Sequence, residues 1–205
     1  MPKFYEPEQL KHLQKLEMEI LTDFKRICDE NNLIYFGYAG TGIGALRHKG
    51  YIPWDDDIDI SMPRKDYERF MELVTEQMGD KYEVLNTETD INYPLATTRL
   101  VLKGTKFREY SMKDVDCNWG IFLDLYAPDG KLAYWWQMWT AWFWGKLLIL
   151  RSIPRPYLYV HGLTAKLVTA ACVAGHYIMK QLGISKEWLY MKMEKANRRY
   201  ENVRN

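Results

Sequence analysis

Apolar residues recur at spacings of three and four from Leu13 through Leu16, Ile20 and Phe24 to Ile27, which gathers them on one stripe of a helix. Pro7 and Glu8 open that helix and Asn31-Asn32 closes it, so the pattern predicts Pro7–Glu30. A second stripe, Tyr67, Phe70, Met71, Val74 and Met78, predicts a helix over Arg64–Met78, between Pro63 and Gly79. Between these helices, 33–38 reads as a short strand, 39–42 as a small-residue turn, and 42–48 as the short helix behind it. Asp55-Asp56-Asp57-Ile58-Asp59 reads as an extended strand. Successive side chains of a strand point to opposite faces, so Asp55, Asp57 and Asp59 are expected on one face and Asp56, Ile58 and Ile60 on the other. Further strands are predicted at 81–86, at 95–103 with a continuation over 106–110 after Gly104-Thr105, and at 120–126.

The pattern changes after residue 130. Residues 132–150 hold five of the eight tryptophans, with Lys146 as the one charge, and 163–180 is a second apolar stretch. Residues 185–204 read as a closing amphipathic helix. A spanning helix needs ~20 apolar residues. Gln137 and Lys146 interrupt the first stretch, and tryptophan favours the membrane interface over the hydrocarbon centre. Three arrangements are therefore open: a helical pair packed on the catalytic core, an in-plane interfacial helix, and a true span. The whole pattern predicts an α/β (α+β) fold. Residues 1–130 form a mixed sheet with packed helices, and 131–205 form a hydrophobic helical subdomain.

Length and composition narrow the field. At 205 residues and 47% hydrophobic content the chain has material for a sizeable core, and a net charge of +1 supplies no overall field for nucleic acid or for a membrane. Cys28, Cys117 and Cys172 form no Cys-x-x-Cys pair, and the four histidines lack ligand spacing; free thiols in a reducing compartment, without structural zinc, are expected. The opening MPKFYEPEQLKHLQ has no apolar h-region, so no signal peptide is expected.

The chemistry concentrates in 37–62. Like charges stacked on one strand face are unfavourable unless a cation sits among them, and hard carboxylate oxygens suit Mg²⁺ or Mn²⁺. Upstream, Ala39-Gly40-Thr41-Gly42 is small enough for backbone N–H groups to approach a phosphate, and the following helix adds the positive end of its dipole. A phosphate cradle beside metal carboxylates points to phosphoryl or nucleotidyl transfer. Arg47 and His48 either hold donor phosphates or complement a helix end, while Lys49 is assigned to solvent. Trp54 either stacks on a base or packs locally. Arg99 and Lys103 share a strand face and either line the donor site or form a charged outer face. Asp124 is an isolated carboxylate among large apolar neighbours, costly to bury without a partner; a metal shared with Asp57 and Asp59 would supply one. Asp129, in Pro-Asp-Gly, reads as a turn residue.

The run Gly-Ala-Leu-Arg-His-Lys-Gly-Tyr-Ile-Pro-Trp-Asp-Asp-Asp-Ile-Asp over 44–59, preceded by Gly-Thr, resembles the signature of the LicD family. Its relatives include the fukutin-type phosphotransferases of the nucleotidyltransferase superfamily. The likeness runs from about residue 16 to about residue 130, and Ile-Phe-Leu-Asp-Leu-Tyr-Ala-Pro-Asp-Gly resembles that family's third-carboxylate strand. The resemblance implies a nucleotidyltransferase-like core. It also implies Mg²⁺-dependent transfer of a phosphorylated alcohol, typically phosphocholine, from a CDP-linked donor such as CDP-choline. The acceptor would be a cell-surface glycan, of the lipopolysaccharide or teichoic acid kind, or its lipid-linked precursor.

Carried onto this chain, the resemblance implies metal ligation by Asp55, Asp57, Asp59 and Asp124, with Asp57, Asp59 and Asp124 catalytic. Asp124 serves there as third ligand or general base. Gly40, Thr41, Gly44, Arg47, His48 and Arg99 are the implied substrate contacts. Family members usually continue well past this length, so the helical subdomain is expected to be truncated. A cytoplasmic place is expected, peripheral at the inner face of the membrane through 132–150. Nucleotidyl transfer from a triphosphate, and an inactive scaffold at the membrane surface, are the rival expectations.

Overall fold

The computed structural model describes residues 5–127, 135–155 and 162–200. Two compact units emerge, one built from Met1–Leu85, Thr97–Phe107 and Trp119–Pro128, the other from Asn86–Ala96, Arg108–Asn118 and Asp129–Asn205.

The first unit is a five-stranded mixed sheet with helices. Its strands are β1 (Phe36–Gly37), β2 (Asp59–Ser61), β3 (Tyr82–Leu85), β4 (Thr98–Leu102) and β5 (Phe122–Tyr126), in the order β1-β2-β5-β4-β3. Only the β2–β5 pair is parallel. Helix α1 (Pro7–Glu30) opens on a capping box between Glu6 and Gln9 and stops at Asn31, where Asn32 turns left-handed at φ 54°. Helix α3 (Arg64–Met78) closes at Gly79. Both present the stripes expected of them. Ile20, Phe24 and Ile27 meet Phe70, Leu73 and Val74 over a sheet face made of Ile60, Leu100, Leu123 and Leu125. The Phe24 and Phe70 rings lie 4.7 Å apart. Each such side chain contributes about 1.5–3 kcal/mol by leaving water.

Strand alternation then puts Asp59, Arg99 and Asp124 on the opposite sheet face, while Thr98 stays on the apolar face with its hydroxyl 2.6 Å from that of Tyr67 on α3. All five residues of β4 are buried, so this strand is covered on both sides and a charged outer face does not describe it. Lys103, beyond the strand end, donates from Nζ to the Gly79 carbonyl.

Several elements differ from their sequence expectation. The strand predicted at 33–38 is only the two residues of β1. Helix α2 (Ala39–Arg47) starts earlier than predicted, taking Gly40 and Thr41 into its first turn. Residues 55–58 are not strand; the extended pairing begins at Asp59. Residues 106–109 leave the sheet, and Tyr110–Met112 is a short 3-10 helix.

The second unit carries α4 (Trp135–Ser152), α5 (Leu163–Gln181) and α6 (Lys186–Asn197). Ser185 caps α6 by accepting from the Trp188 amide at 3.1 Å. Helix α4 packs on α6 through Trp144 against Trp188, with rings 5.5 Å apart, and through the Gln137 amide donating to the Asn197 carbonyl. Helix α5 meets α4 where His176 Nδ1 lies 3.2 Å from the Leu150 carbonyl. Among the described residues no helix is long and apolar enough to cross a membrane. Cys28, Cys117 and Cys172 are free thiols. Asp129 and residues 132–134 and 201–204 lie outside the described residues.

Candidate active site

The register of three neighbouring strands sets the site. Asp59 on β2 pairs with Asp124 on β5, and Asp124 pairs with Arg99 on β4. Two carboxylates and a guanidinium therefore form one row across the sheet, on the face away from α1 and α3. All three are buried. Arg99 Nε donates to Asp124 Oδ1 at 3.1 Å, and Thr97 Oγ1 reaches the same oxygen at 3.3 Å. The Arg99 guanidinium also lies 3.6 Å from the centre of the Phe122 ring. Asp124 thus has a charge partner from within the chain, which the sequence reading assigned to a metal alone.

Residues 55–57 lead into this row as an irregular segment, and that changes the ligand set. Asp55, Asp56 and Asp57 each present a carboxylate oxygen within 4.8 Å of the others. Asp56 belongs to the cluster; its expected place on the opposite face depended on a strand that starts only at Asp59. Burial, then the charges of Asp59, Asp55, Asp56 and Asp124, push the Asp57 carboxyl up to about 7. Burial also raises Asp55 and Asp59, the latter opposed by a hydrogen bond from the Tyr126 hydroxyl and by Arg99. Such upward shifts mark a place where negative charge is crowded and a cation is favoured.

Helix α2 closes the site from the other side. Its first-turn amides have no partner within the helix, and its positive dipole end is at Gly40 and Thr41. Ala39 holds a left-handed φ of 42° at that start, a conformation costly to a residue with a Cβ. Gly40 presses on the acidic segment, since a Cβ there would stand 2.5 Å from Asp55 Oδ2. Thr41 Oγ1 accepts from the Asp59 amide at 2.8 Å, which ties the helix to β2.

The other expected contacts fall elsewhere. Gly44 is buried, and a Cβ there would lie 2.5 Å from the Gly50 carbonyl and 3.1 Å from the Ile52 amide. Its contact is with the 50–52 backbone, not with the acidic cluster. Arg47 and His48 are exposed at the C-terminal end of α2, about 10 Å from Gly40 by helical rise. Trp54 is exposed, with its ring edge-on to His48 at 6.3 Å.

One part of the site escaped the sequence reading. Glu17 of α1 is fully buried, accepts from the Tyr51 hydroxyl at 2.8 Å, and leaves its Oε1 without a hydrogen-bond partner. Gln14 donates to the Asp55 carbonyl at 2.9 Å. Helix α1 thereby underpins the acidic segment. The signal was present, because Glu17 sits four residues after Leu13 and three before Ile20 in the apolar stripe. Burial first, and then the Asp57, Asp56 and Asp55 charges, raise its carboxyl to about 8 against the opposing Tyr51 bond.

A family model described as the LicD/FKTN/FKRP nucleotidyltransferase domain matches residues 32–143, more than half of the chain. The chain belongs to the LicD family. The LicD match takes in α2, the acidic segment and all five strands. Among curated proteins, the chain is similar to the lipopolysaccharide cholinephosphotransferase LicD of Haemophilus influenzae, 39% identical over 79 residues. That segment is 38% of this chain and 30% of the relative. Uncharacterized proteins of Rickettsia typhi and Rickettsia prowazekii are each 35% identical over 63 residues, 30% of this chain and 20% and 24% of theirs. The matched part thus spans less than a third of each of these relatives. No solved structure gives a significant match.

Proposed function

We propose that this LicD-family chain is a Mg²⁺-dependent phosphotransferase that moves a phosphorylated alcohol, phosphocholine, from a CDP-linked donor to a glycan or its lipid-linked precursor. The observation that carries this reading is the Asp59–Asp124–Arg99 row meeting the Asp55–Asp57 cluster at the N-terminus of α2. The similarity to a lipopolysaccharide cholinephosphotransferase supports the choice of phosphocholine and of a glycan acceptor.

The residues fit a hard divalent cation, since the donor set is entirely carboxylate oxygen and the convergence of the three aspartates is costly without one. Asp57 and Asp59 would hold the cation with help from Asp55 and Asp124. Mg²⁺, or Mn²⁺ in its place, would neutralise donor phosphate charge. Arg99 donates a charge-assisted hydrogen bond to Asp124, which occupies one of its oxygens and supports its role as ligand over that of general base. The amides of Gly40 and Thr41 receive the transferred phosphate, with the α2 dipole favouring its charge. Phosphoryl transfer depends mainly on such positioning and charge stabilisation. A site at the inner face of the membrane would bring a lipid-linked acceptor within reach.

The test is release of CMP from CDP-choline, with Mg²⁺ and a glycan acceptor, compared with Asp57→Asn. We expect metal-dependent release by the wild type and a loss of at least about a hundredfold in the variant. Full turnover by Asp57→Asn sinks the scheme. Pyrophosphate release from CTP or ATP would assign the same site to nucleotidyl transfer instead.

A further inference from the structure

Helices α4 and α5 are turned inside out relative to a water-soluble amphipathic pair. On α4, Trp136, Met138, Trp139, Trp142, Phe143 and Lys146 are all exposed, Trp136 at 63% and Trp142 at 54%. At 100° per residue these six positions fall on one continuous face. The opposite face, with Gln137, Trp144 and Leu148, is the one that meets α6 or is buried. Helix α5 repeats the arrangement. Leu163, Leu167, Tyr177 and Ile178 are exposed, and Met179 is the one buried residue of that helix. Single exposed apolar residues are ordinary, but a contiguous patch of this kind marks a surface that is covered in use.

Charge identifies the cover. From residue 131 to residue 186 the sequence holds seven lysines and arginines and no aspartate or glutamate. Lys146 lies over the Trp142 ring at 5.7 Å, placing a cation at the edge of the aromatic face. On α5, a groove of about 670 Å³ is walled by Ala165, Ala170 and Val173, with Arg155 and Lys166 among its lining residues. An apolar groove with two cations suits a phosphate headgroup above an acyl chain. Tryptophan-rich apolar faces bordered by cations belong to helices lying in a membrane interface, and basic residues near an anionic leaflet each add attraction.

We infer that α4 and α5 form an in-plane docking surface for an anionic phospholipid bilayer, with the Trp139/Trp142 face inserted and Arg155 and Lys166 on lipid phosphates. The inference stands on the second unit alone and survives or fails independently of the catalytic reading.

The test is flotation of the full chain with vesicles of phosphatidylcholine alone or with about a third phosphatidylglycerol, with tryptophan emission recorded in parallel. Preferential binding to the anionic vesicles is expected, together with a blue shift and weakening by salt. The doubly substituted Trp139→Ala/Trp142→Ala chain should partition at least roughly tenfold more weakly. Arg155→Glu/Lys166→Glu should lose the anionic preference. All four side chains are on the surface, so unchanged melting temperatures are expected. Equal binding of wild type and both variants overturns the inference. So does an absence of vesicle binding with a dimer that dissociates in the tryptophan variant, because the face would then be covered by a second copy.

Discussion

At the scale of single residues, the site is a concentration of carboxylates that the chain holds together by spending buried positions on polar groups. Glu17 is the clearest case. Its carboxyl, raised to about 8 by burial, is protonated in the folded chain over a range where the unfolded chain is ionised. The folded state then binds more protons, so this residue lowers stability as pH rises from the unfolded value of 4.5 to about 8. Glu17→Gln keeps an acceptor for the Tyr51 hydroxyl and removes the titration. Melting curves in EDTA should show the variant gaining on the wild type between about pH 5 and 8, by a few kcal/mol at the upper end. Parallel pH profiles for the two proteins would show that Glu17 is ionised in the folded state.

At the scale of elements, the first turn of helix α2 lies against the acidic segment, and its Gly40 and Gly44 do different work. Gly44→Ala pushes a methyl against the 50–52 backbone, where the nearest atom is a carbonyl oxygen. Denaturant unfolding should show a loss of about 1–3 kcal/mol. Gly40→Ala meets instead the end of the Asp55 side chain, which can swing away. That variant should keep its stability and bind divalent cations less tightly. Equal stability losses in the two would show that Gly40 is a packing glycine as well. The helices were legible in the sequence because α1 and α3 each carry a full apolar stripe with punctuation at both ends. The acidic segment was less so. Its aspartates imitate a strand, whereas residues 55–57 follow an irregular path that brings Asp56 into the cluster against charge repulsion. The partner of Asp124 was hidden for a related reason, since Arg99 is 25 residues away in sequence and only the β4–β5 register brings them together.

At the scale of the molecule, the two units have different sources of order. The first is a two-faced sheet whose apolar face packs on α1 and α3 and whose other face carries the Asp59–Asp124–Arg99 row. The second is a helical unit that buries its tryptophans only in part. The composition of 132–150 announced its hydrophobicity and ranked a packed pair ahead of an in-plane helix and both well ahead of a span, without deciding among them. Separating them needs the direction of each face, which periodicity does not give when nearly every position is apolar. The acidic constellation is built for a divalent cation if the proposed chemistry holds, so cation binding is the measurement to make. Titration calorimetry with Mn²⁺ should show a site in the wild type, tenfold or more weaker in Asp57→Asn by rough expectation for a lost ligand. CDP-choline should bind only when the metal is present. Equal Mn²⁺ affinity in a folded Asp57→Asn chain, or equal CDP-choline binding in EDTA, would contradict it.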